Sequence, residues 1–119
     1  MLTFSDGAEI FRKAEQETFK VVFAGDCCLT GGPFEEVLNG RSANILSEVQ
    51  PFLDDADLRV IQWEMALTND ETPIVKAGPN LKCPPEAVRF AEQGNFDVAL
   101  LANNHIGDFG TEAVLETLS

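Results

Sequence analysis

No stretch of this sequence approaches the ~20 consecutive apolar residues needed to cross a bilayer. Nor does the opening, Met1-Leu2-Thr3-Phe4-Ser5-Asp6, supply the basic and apolar regions of a secretory leader. A cytoplasmic domain without a membrane segment is the expectation. Basic residues are also scarce, 8 Lys and Arg against 20 Asp and Glu, which gives a formal charge of −12. Such a surface repels polyanions, so nucleic acid and anionic membranes are poor partners, and an anionic substrate would have to be met through a cation.

Cysteine is sparse, with Cys27, Cys28 and Cys83 alone. An odd count with two adjacent residues and no CxxC pair does not make a disulfide framework or a structural zinc site. Histidine occurs once, as His105. It closes the stretch Leu100-Leu101-Ala102-Asn103-Asn104-His105, in which an apolar run ends in two amides and an imidazole.

At 119 residues the chain is one domain or part of one. Apolar positions Ala8, Ile10, Phe11 and Ala14 suggest a peripheral amphipathic helix within residues 1–17, over Ser5 to Glu17. Phe19 to Gly25, apolar but for Lys20, reads as a strand covered on both faces, followed by Asp26 and the loop Cys27-Cys28-Leu29-Thr30-Gly31-Gly32. By itself Asp26 is equally an Asx-turn or helix cap. Pro33 to Leu38 predicts a short helix. Ser42 reads as the N-cap of a helix over Ala43 to Asp55 that Pro51 should kink or split.

Leu58 to Trp63 is a second strand ending in Glu64, with Trp63 packed and its indole N–H needing a partner. Met65 to Pro79 is a long irregular connection of the kind that often handles substrate. Lys76 and Lys82, in or beside it, read as surface residues. Pro84 to Gln93 predicts a helix closed by Gly94 in the left-handed conformation. Phe96 to Leu101 is a third strand, and Thr111 to Leu118 a final helix.

The order strand, loop, helix, repeated, predicts an α/β fold with a mostly parallel sheet and flanking helices. Asp26 to Glu64 is 38 residues and Glu64 to Asn104 is 40, each about one strand-crossover-strand unit. Asp26, Glu64 and Asn104 thus fall at carboxyl strand ends, where open α/β sheets bind ligands. An Asp, a Glu and an Asn oxygen beside a His suit a divalent ion such as Mn²⁺, Mg²⁺, Fe²⁺ or Zn²⁺. His105 would stand next to it as general acid or electrostatic clamp. The spacing Gly25-Asp26 to Gly31-Gly32 does not match a dinucleotide fingerprint.

Gly25-Asp26, Glu64, Ala102-Asn103-Asn104-His105, Asp108 and Gly110 resemble the CapA-like capsule or poly-γ-glutamate synthesis proteins of the calcineurin-like metallophosphatase superfamily. The segment from Gly94 to His105 is the most specific part of the likeness. The resemblance implies the amino-terminal half of an αββα sandwich, with 1–119 a single partial domain. It makes Asp26, Glu64 and Asn104 metal ligands and His105 the catalytic neighbour, in a centre that is dinuclear when the domain is complete. Asp108 belongs to the pattern, as a loop-holding residue or a functional one.

Two departures stand out. Many metallophosphatases place a histidine two residues after the first aspartate, where this chain has Cys28, and the later histidines that complete the metal site have no counterpart here. The expectation is a metal-dependent hydrolase of the capsule-synthesis type that is incomplete and inactive as a fragment. It would pair with a missing carboxyl-terminal half or self-associate. The alternative is a non-catalytic α/β interaction module, its strand-end polar residues serving only as caps and turns.

Overall fold

A computed structural model describes residues 17–119 and the backbone of residues 4–5 and 8–9. Strand β1 (Phe4–Ser5) pairs antiparallel with β2 (Ala8–Glu9), Ser5 opposite Ala8. Part of the stretch expected to be helical is therefore extended. The rest of the expected helix lies outside the described residues.

The central sheet holds β3 (Val21–Cys27), β4 (Leu58–Trp63) and β7 (Val98–Leu100), in the order β3-β4-β7 and parallel throughout. Each crossover carries helices: α1 (Gly32–Leu38), α2 (Ser42–Leu46) and α3 (Gln50–Asp54) after β3, and a 3₁₀ turn (Pro85–Val88) running into α4 (Arg89–Gln93) after β4. A final helix, α5 (Gly110–Thr117), follows β7. The expected α/β class is the observed one.

Pro51 divides the helix expected over 43–55 by sitting in the first turn of α3. Proline has no N–H to continue the preceding helix, but it costs nothing where that N–H would be unpaired anyway. Ser42 is not a cap. It is the first residue of α2, fully buried, and its hydroxyl has no partner among the described residues. At the end of α4, Asn95 rather than Gly94 takes the left-handed conformation, at φ 53°. Gly94 is instead pressed against the Phe96 ring, 2.6 Å from where a Cβ would stand.

The long connection is more ordered than expected. β5 (Ala66–Leu67) and β6 (Lys82–Cys83) pair in parallel, so only the residues between them are irregular. Ala66 packs there with Phe109 and with Ala113 of α5.

Side chains alternate across the sheet. Val22, Ala24 and Ile61 point to the face on which Val37, Leu46, Leu53 and Phe90 of the helices form the core with Trp63. The opposite face carries Val21, Phe23, Val98 and Leu100, all exposed, Phe23 at 73%, with Phe23, Val60 and Val98 forming one cross-strand row. Among the described residues Val60, flanked by both neighbours, is buried on that face, with Leu58 and Gln62 half-buried beside it. Beside the edge of β3 that has no partner strand among the described residues runs an apolar groove of about 390 Å³ between the strand and α2–α3, lined in part by Phe23, Asp26, Val49 and Phe52.

Candidate functional site

The three strand ends meet at one rim. Cys27 is paired with Trp63, the Glu64 N–H donates to the Cys27 carbonyl at 3.1 Å, and the Asn103 side-chain amide donates to the Trp63 carbonyl at 2.7 Å. The end of β3 that carries Asp26 and the segments that carry Glu64 and Asn104 are thus tied side by side by main-chain oxygens. Within β3 the register slips between Ala24 and Asp26, which leaves Gly25 as the extra residue of a bulge. Bulges re-aim the following side chain. Asp26 and Asn104 are exposed and Glu64 is half-buried.

Asn103 builds the loop that follows. Its side-chain oxygen accepts from the N–H groups of His105 and Ile106, both at 2.9 Å, a side-chain mimic of a backbone turn. Its amide holds the Trp63 and Leu101 carbonyls. The residue was visible in sequence only as half of an Asn-Asn pair, with no sign of which amide is structural and which is offered to solvent.

Asp108 is fully buried and is the hub of the site. Its Oδ2 lies 2.7 Å from His105 Nδ1 and accepts the Leu81 N–H at 2.8 Å, while Oδ1 pairs with Lys76 Nζ at 2.5 Å. Burial by itself would push this carboxyl up. The Lys76, His105 and Leu81 bonds outweigh it and hold the carboxyl below the usual aspartate range. The Asp108 carboxylate therefore both holds the loop and orients the histidine.

Lys76 does not behave as a surface residue. Ile74 and Val75 on one side of it and Ala77 and Gly78 on the other carry no acid, so its ammonium pairs across the fold with Asp108. Nothing in the residues around Lys76 signals that distant partner. Lys82 is closer to expectation, bridging the exposed Glu71 at 2.6 Å, although it also lies 5.1 Å from the Phe109 ring centre.

The cysteines sit behind the rim. Burial pushes the Cys27 thiol up to about 12, with Cys28 adding to the effect. Burial, then the neighbouring Cys28 and Cys27, does the same to Cys83, whose S–H faces the Leu29 carbonyl. Cys28 is raised first by burial and then by the Glu64 carboxylate, against a hydrogen bond from Thr30. A thiol so raised is a poor metal ligand and packs as an apolar side chain. Trp63, expected to need a partner, is buried, and its indole N–H has none among the described residues.

Carboxylate and amide oxygens on the rim are the right donor types for a hard divalent cation. They make up only part of a coordination sphere, because among the described residues no three of His, Cys, Asp and Glu are grouped closely enough to hold a metal ion. Among those residues, too, no helix is long and apolar enough to cross a membrane.

Over 108 residues the chain is 28% identical to the capsule biosynthesis protein CapA of Bacillus anthracis, a match that takes in 87% of this chain and 26% of that protein. The chain therefore spans about a quarter of the length of this relative. The family described as bacterial capsule synthesis protein PGA_cap matches residues 20–119, the span from β3 to α5 that carries every group of the rim. The chain belongs to the PGA_cap family of bacterial capsule synthesis proteins.

Proposed function

We propose that this chain is the cation-gripping part of a capsule-synthesis hydrolase, with Asp26, Glu64 and Asn104 offering oxygens to one divalent ion and His105 standing beside it. The reading rests on one observation: three parallel strand ends tied at a common rim, next to a histidine whose Nδ1 is held by a buried carboxylate. Mn²⁺, Mg²⁺, Fe²⁺ or Zn²⁺ fits these donors, and a second ion fits only with ligands from further polypeptide. When bound, such an ion supplies Lewis acidity toward a phosphoryl or carbonyl oxygen.

The chain's own residues bind and orient. Asp26 and Asn104 face solvent, where an anionic group reaching the cation would arrive, and His105, oriented through Nδ1, keeps Nε2 to exchange a proton with that group. Full activity belongs to the longer polypeptide, given the quarter-length match. The exposed face of Val21, Phe23, Val98 and Leu100 is where that polypeptide, or a second copy in its absence, would pack.

Thermal melting in Mn²⁺ or Zn²⁺ tests the site. A rise for the wild type that is lost in Asp26→Ala and Asn104→Ala supports it. Equal shifts in all three proteins leave the non-catalytic module, which the many backbone caps made by Asn103 otherwise favour.

A further inference from the structure

His105 Nδ1 has two neighbours that make opposite demands. The Asp108 carboxylate, at 2.7 Å, can only accept, whereas the Lys76 ammonium, at 3.3 Å, can only donate. The shorter, charge-assisted contact decides the tautomer, so the proton sits on Nδ1 and the Nε2 lone pair is bare. That outcome depends on where the carboxylate points. Leu81 N–H and His105 share Oδ2, and Lys76 is the partner of Oδ1.

We propose that Lys76 is a positioning residue: by clamping Asp108 it locks His105 in the Nδ1–H form and fastens the segment between β5 and β6 to the catalytic rim. Three bonds run from Asp108 to that segment: its carbonyl accepts from Ile74 N–H at 2.8 Å, and its carboxylate takes Lys76 and Leu81. Asn80 closes the segment on itself by donating to the Ile74 carbonyl. Between these anchors Val75 is wholly exposed. Without the ammonium, Oδ1 loses its ion-pair partner and only the Leu81 N–H and His105, both on Oδ2, still hold the carboxylate, so the tautomer and the segment lose one of their anchors. The use of that tautomer in hydrolysis rests on the function proposed above; the tautomer itself does not.

Because His105 is the sole histidine, a long-range ¹⁵N correlation spectrum at pH 8, where a free imidazole is neutral, reads one pair of ring nitrogens. It is recorded without metal or substrate, so its result is separate from whether the rim binds a cation. The expected wild-type pattern is protonated Nδ1 and bare Nε2, kept in Lys76→Arg and replaced by tautomer-averaged signals in Lys76→Met. Wild type in the Nε2–H or an averaged form, or Lys76→Met with the wild-type pattern, overturns the proposal. Should Lys76→Met fail to fold, the wild type decides: a nuclear Overhauser contact between the Lys76 side chain and the His105 ring supports the clamp, and its absence removes it.

Discussion

Lys76 and Asp108, 32 residues apart, form an ion pair of 2.5 Å in which the carboxylate is fully buried and the lysine side chain is 21% exposed. The contrast with Lys82 and Glu71, whose carboxylate is 86% exposed at a similar distance, shows why length alone does not rank ion pairs. Removing one partner of a buried pair strands the other charge, whereas an exposed pair is screened by water.

Asp108→Ala should therefore lower the unfolding free energy by about 3 kcal/mol. Glu71→Ala should change it by less than about 1 kcal/mol. Urea unfolding followed by tryptophan fluorescence at Trp63 checks both.

The bare face of the sheet has a consequence in solution. The apolar side chains of Val21, Phe23, Val98 and Leu100, exposed on one face with Phe23 on the outer strand β3, should drive the isolated chain to self-associate and to bind an apolar dye, despite the charge of −12. Light scattering should give a mass above that of the monomer, reduced by Phe23→Lys. A monodisperse wild-type monomer without dye binding would contradict this.

The raised thiols make stability fall in alkali. Cys27 and Cys83 stay protonated in the fold up to about pH 12, while the same thiols in the unfolded chain ionise near 9. Their contribution is complete below pH 9 and is lost as the pH climbs from there to about 12. The melting temperature should drop across that window, and less steeply in Cys83→Ala. Below pH 9, a thiol reagent should label the half-buried Cys28 before either of the others.

Much of this architecture was legible because it depends on local chemistry. Leu58–Trp63 is a strand with the expected bounds, and Pro33 and Pro51 start helices where proline is tolerated. What escaped depends on partners distant in sequence. Nothing local distinguishes Asn103, which ties its loop to β4, from exposed Asn104, and nothing near Lys76 announces Asp108. Gly94 misled for a different reason. The Phe96 ring occupies the space of its missing side chain, so the glycine serves packing, and Asn95 makes the left-handed turn.

The proposed grip of Asp26, Glu64 and Asn104 on a cation is most directly tested by titrating Mn²⁺ into the chain and counting free ion by electron paramagnetic resonance. One saturable site in the wild type, abolished by Asp26→Ala, Glu64→Ala or Asn104→Ala and accompanied by broadening of the His105 ring signals, is the predicted result. Binding that persists in all three variants, or Mn²⁺ that leaves His105 sharp, would contradict it.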